Sequence, residues 1–153
     1  MADQPALDIE AAHKYFSTSC FNSAWELIEK PDRTPEDDEQ MIRLTQTSLW
    51  HWMQRPDCTD KNLSIGLWQA SRIYALLGQA DKAREYAEFS LRKTPDNEDF
   101  YLGFAYEALA RAESIARNPE KMKTYLAEAW RHAEAVTDDE ERQTLTSDLR
   151  TLT

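Results

Sequence analysis

Glu10 and His13 are the first residues of the chain whose types and spacing could do chemistry. A Glu-x-x-His spacing puts a carboxylate and an imidazole one helical turn apart, as in the metal sites of di-iron helical bundles. Such a site needs a second copy of the motif and two further carboxylates, and this chain holds the one copy. His13 also falls on an apolar stripe with Ile9, Phe16 and Cys20, so it reads as a hydrogen-bonded core histidine. His51 and His132 stand at no ligand-like spacing. Cys20 and Cys58 lie far apart with no Cys-x-x-Cys, which reads as two free thiols. No metal and no cofactor is expected.

Glycine clustering, which lets a backbone approach a phosphate, is also missing, because the three glycines, Gly66, Gly78 and Gly103, stand apart. There is no G-x-S-x-G elbow and no H-E-x-x-H. An enzyme or small-molecule sensor with a polar pocket between helices would have to draw on His51, Cys58, Arg72 or the Glu10/His13 pair. No nucleophile, base and orienting third group can be placed together from these, so the chain is not expected to be an enzyme.

Tryptophan and arginine offer a different chemistry. At helical spacing Ile65, Trp68, Arg72 and Leu76 form one face, opposite a second apolar face of Leu63, Leu67, Ala70, Tyr74 and Leu77. Phe100, Phe104, Glu107 and Arg111 repeat this theme about 36 residues on, and Tyr15, Thr18, Asn22 and Trp25 do so near the start. Trp and Arg dominate protein interfaces because they bury much area and still hydrogen-bond. The structural alternative is that Trp68 packs against a neighbouring hairpin and Arg72 pairs with a glutamate inside the fold. Trp50 points away from a buried face of Met41, Thr45, Leu49 and Trp52, so it is a candidate for self-association in a homodimer, or else a cover for the Pro56-Asp57-Cys58 loop.

These faces need helices to carry them, and the helix signals are strong. The stripe Ile9, Ala12, Phe16, Cys20, Ala24, Leu27 predicts a helix over about 7–29. Thr34 with Pro35 and Glu36-Asp37-Asp38 starts a second, which Pro56 stops at about Arg55. A third runs from about 62 to Leu77, with Gly78 supplying the left-handed residue after it. The fourth covers about 80–93, the fifth about 98–117, and Asn118-Pro119 opens a sixth. Thr137 and Glu140 form a capping box for a last helix offering only Leu145, Leu149 and Leu152 to a core. No stretch alternates as a half-buried strand does. Short connections make consecutive helices antiparallel neighbours, giving hairpins over about 7–55, 62–93 and 98–136 and a capping helix over about 138–152.

The 153 residues carry 18 basic and 28 acidic groups, a net charge of −10. Residues 1–40 hold 3 basic and 10 acidic groups, 41–95 hold 8 and 5, and 96–153 hold 7 and 13, so no basic cluster exists to displace phosphate counterions. Nucleic acid is excluded as a partner. No apolar run approaches the ~20 residues of a membrane span, and the opening residues lack the basic and apolar regions of a secretory signal. The expectation is one cytoplasmic domain over 1–153 with no membrane partner.

Residues 67–95 resemble a tetratricopeptide repeat, whose outline is W-x2-L-G-x2-Y, then A-x3-F, then P. Leu67-x2-Ala70-Ser71-x2-Tyr74 stands in the first helix, Ala83-x3-Ala87 in the second, and Pro95 closes the unit. Tyr106-x2-Leu109-Ala110 and Met122-x3-Leu126-x2-Ala129 look like a second, degenerate copy with a longer first helix and no closing proline. The resemblance implies an all-α, right-handed α-solenoid of about three antiparallel hairpins and a capping helix. It also implies a groove, lined by the first helix of each pair, that holds a protein or peptide partner. Stacked in that way, Asn22, Trp25, Ile65, Trp68, Arg72, Phe104, Glu107 and Arg111 would line the groove, and its arginines favour a carboxylate-bearing peptide. Trp68 and Arg72 stand where the carboxylate clamp of chaperone-binding members has a short polar or lysine side chain, so chaperone-tail binding is not implied.

Overall fold

Side chains that hold their own helix ends set the element boundaries. Thr34 accepts from the Asp37 amide at 3.2 Å while Asp37 takes the Thr34 amide at 3.0 Å, a reciprocal cap that fixes where a helix begins. Thr59 and Asn62 repeat the arrangement at 3.2 and 3.0 Å. A computed structural model describes residues 6–152. It contains α1 (Ile9–Glu29), α2 (Pro35–Gln54), α3 (Asp60–Leu76), α4 (Ala80–Lys93), α5 (Asp99–Ile115), α6 (Pro119–Ala135) and α7 (Asp139–Leu149), followed by a short 3-10 turn over Arg150–Leu152. No strand occurs among the described residues.

Two ends depart from expectation. Asp138, not Thr137, caps α7, accepting from the Glu141 amide at 2.9 Å. Gly78 takes the expected left-handed conformation at φ 72°, but Arg117 does the same at φ 58° between α5 and α6. The reversal there needs a positive φ, and the sequence supplies no glycine for it.

The chain divides into two compact units, Met1–Cys58 and Thr59–Thr153. Within each, helices pack in neighbouring pairs: α1 with α2 in the first, α3 with α4 and α5 with α6 in the second. The α1–α2 contact is built on small side chains. Ser17 and Ala24 are fully buried, and Ser48 Oγ donates to the Ser17 carbonyl at 2.6 Å. Of the apolar stripe predicted for α1, Ala24 is buried, whereas Ile9 and Phe16 are 62% and 43% exposed. A seam of small residues brings backbones close, and larger side chains cannot occupy it. Met41, Thr45 and Leu49 of α2 are buried as expected.

In the second unit, Ala70, Ser71 and Ala83 are buried and let α3 and α4 approach closely enough for Ser71 Oγ to donate to the Ala83 carbonyl at 2.8 Å. Ile73, on neither face drawn for α3 from the sequence, is fully buried. Against α5 and α6 lies α7, whose Leu145 and Leu149 join Ala129, Ala133 and Val136 in a cluster flanked by Phe100, Phe104 and Trp130. None of the described helices is long and apolar enough to cross a membrane.

Candidate functional site

The contact of α3 with α5 brings five of the predicted groove residues together. Trp68 meets Phe104 edge-on, with ring centroids 5.3 Å apart, and the Arg72 guanidinium lies 5.2 Å from the Trp68 ring. Glu107 is fully buried beneath them. Arg111 Nε donates to its Oε1 at 2.7 Å, and Arg72 Nη2 lies 3.4 and 3.5 Å from its two oxygens. Ile65, half-buried one turn before Trp68, lines a cavity beside this cluster.

The cluster is completed by α7. Asp148 Oδ2 accepts from Arg72 at 2.6 Å, and Thr151 Oγ1, in the turn after α7, accepts from Arg111 at 2.7 Å. Leu145 rests on Gly103 of α5, where an added Cβ would overlap its Cδ2 methyl. Desolvation pushes the Glu107 carboxyl up from its ordinary value, and the charges of Arg72 and Arg111 act the other way. With two guanidinium groups donating to it, the ionised form is the one that satisfies every partner. Burial also opposes the Arg72 charge, but Glu107 and Asp148 outweigh it and hold that guanidinium above its ordinary value. Arg72 thus does pair with a glutamate inside the fold, and it pairs with a second carboxylate as well.

Two arginines and one buried glutamate leave one positive charge on the α3–α5 face, and Asp148 neutralises it. No family model, curated protein or solved structure matches the chain. The site is therefore read from its own residues. Asp148, Thr151 and Gly103 were not foreseen, although Leu145-x2-Asp148-Leu149 places an aspartate at the edge of the leucine stripe, which is a readable signal. A second buried carboxylate, Glu113, takes Arg84 Nε at 2.5 Å and ties α5 to α4.

Asn22 and Trp25 belong to the first unit. Asn22 is exposed, and Trp25 is half-buried with its ring edge-on to Phe21 at 6.4 Å. In the same unit, Trp50 is 54% exposed and lies edge-on to His13 and His51, at 5.5 and 5.0 Å. Nearby, the Arg55 guanidinium stacks 3.8 Å from the ring of Trp52. That arginine holds the Asp57 carboxyl down to about 2.

His13 and His51, treated above as unrelated, meet with Nδ1 atoms 2.8 Å apart at the rim of a shallow pocket that also takes in Phe16, Cys20 and Trp50. His13 is half-buried rather than a core residue. Glu10 pairs with Lys14 at 3.1 Å. His132 binds Asp99 at 2.8 Å. Among the described residues no three His, Cys, Asp or Glu side chains are grouped to hold a metal ion. No disulfide joins Cys20 and Cys58.

Proposed function

We propose that the protein is a non-catalytic interaction module, a tetratricopeptide-like adaptor or scaffold acting in the cytoplasm, whose α3–α5 face binds a carboxylate-bearing peptide or helix of a partner protein. The reading takes α3–α6 as two repeats of a right-handed solenoid and α7 as the helix that ends it. One observation carries the proposal. Arg72, Arg111 and the buried Glu107 require one further carboxylate, and a leucine-flanked aspartate on a short helix is seated there. A partner segment of the same chemistry competes with α7 for this seat. Homodimer formation through the exposed Trp50 belongs to the first unit and is a separate reading.

The test uses the full chain carrying Leu145→Ser and Leu149→Ser, which remove the apolar hold of α7, and a labelled peptide of residues 138–152 added in trans. The expected result is saturable binding by fluorescence anisotropy that weakens at least tenfold when Asp148 of the peptide becomes Asn. Equal binding of the Asn peptide, or binding that survives Arg72→Glu, rejects the proposal.

A further inference from the structure

We propose that a cavity walled by α3, α4 and α5 binds a small uncharged aromatic molecule of up to two fused rings. This site adjoins the carboxylate seat, sharing Trp68 and Phe104 with it, but takes an uncharged guest in place of a carboxylate. It is a half-open cavity of about 220 Å³ lined by Ile65 and Trp68 of α3 and by Phe100, Tyr101 and Phe104 of α5. Ser64 and Ser90 contribute to its lining, as does Thr144 of α7. An engineered protein cavity of ~150 Å³ with apolar walls stays dry and takes up benzene. The larger volume here suits indole or naphthalene.

The lining decides the class of ligand. The hydroxyl protons at the Ser64–Ser90 wall are already used, because Thr94 Oγ1 donates to the Ser90 carbonyl at 2.8 Å and Ser90 Oγ donates to the Ser64 carbonyl at 2.9 Å. The remaining proton of Ser64 therefore goes to Thr94 Oγ1 at 2.6 Å. None of the lining residues carries a charge. A charged guest would lose its hydration and find no opposite charge in the lining. The rings favour an aromatic guest over an aliphatic one. Phe100 stands nearly perpendicular to Phe104 and to Tyr101, at 85° and 78°, and Trp68 at 72° to Phe104. Crossed rings offer a flat guest both faces and edges, the two geometries in which aromatic pairs attract. The pocket is built on regular helices, so it exists before the ligand arrives.

Indole is the probe, titrated into the full chain by calorimetry and followed through the Trp68 indole N–H resonance. The expected dissociation constant is on the order of 0.1 mM for a ligand of this size. Ile65→Trp, which fills the cavity, should weaken binding at least tenfold with the helical circular-dichroism signal unchanged. Should that variant not fold, Thr144→Phe, at an exposed position of α7 that also lines the cavity, blocks the same space. Indole-3-acetate should bind at least tenfold more weakly than indole. No heat and no shift up to the solubility limit of indole overturns the proposal. So does equal affinity for cyclohexanol, or an unchanged affinity in both filling variants, which would leave the cavity to a partner's side chain or to no ligand.

Discussion

The bond between Arg72 and Asp148 gives the sharpest test of how α7 is held. Arg72 is 15% exposed and Asp148 28%, and their 2.6 Å contact is the shortest that Arg72 makes. Two unit charges ~4 Å apart at an effective dielectric of ~20 attract by about 4 kcal/mol before desolvation is counted. Bringing the pair out of water offsets a good part of this. Asp148 is the more exposed partner, and Arg72 keeps Glu107 when Asp148 is lost, so a net coupling of about 1–3 kcal/mol is expected, above the range of exposed pairs. The measurement is a double-mutant cycle of Arg72→Met, Asp148→Leu and both together, by urea unfolding followed through circular dichroism and tryptophan fluorescence. Each single variant should destabilise the second unit, and the double variant should cost less than their sum. A coupling below about 0.5 kcal/mol would mean that α7 is held by its leucines alone and that the arginine face has no preference for a carboxylate.

Gly103→Val should unseat α7 by driving Leu145 off α5, seen as fast hydrogen exchange over 139–149, whereas protection equal to wild type would show that the leucine simply turns aside. The two left-handed residues should respond in opposite senses. Gly78→Ala should cost about 1 kcal/mol and Arg117→Gly should be neutral or stabilising, because only the first puts a Cβ where φ is positive. Burial, and after it the charge of His13, hold His51 below 6.5, so the unfolded chain takes up this proton first and stability falls as the pH drops below about 6.5. His51→Gln should flatten that slope, and an NMR titration placing His51 at or above 6.5 refutes the assignment.

Helix ends were legible because their causes are local. Thr34 finds Asp37 three residues away, Gly78 turns the chain by itself, and Asn118-Pro119 opens α6. The last cap slipped by one residue because Thr137 and Asp138 both offer a suitable oxygen and only geometry chooses between them. Faces were less legible. In α1 the predicted stripe is exposed at Ile9 and Phe16 and buried at Ala24, which shares the inner seam with Ser17, since how closely two helices approach depends on the partner helix and not on the helix's own period. Least legible were pairs distant in sequence. His13 with His51 and Arg72 with Asp148 are separated by 38 and 76 residues, and periodicity gives each residue a face without saying which helix will lie against it.

The strength of the hold on α7 decides whether the carboxylate seat can serve a partner. An isolated helix of 11 residues is marginal in water, so α7 depends on its seat to stay folded. Only Leu145 and Leu149 are fully buried from it, worth about 1.5–3 kcal/mol each, and ordering the segment offsets much of that gain. Asp148 then tips the balance at a point where the protein supplies two arginines for a single buried glutamate. If α7 leaves, Arg72 keeps its longer contacts of 3.4 and 3.5 Å to Glu107 and its place beside Trp68, and the face is left with one uncompensated positive charge. That cost falls when another carboxylate arrives and persists when an apolar or basic segment does. Under the proposed function, the second unit would discriminate among incoming helices by charge before it distinguished their shape.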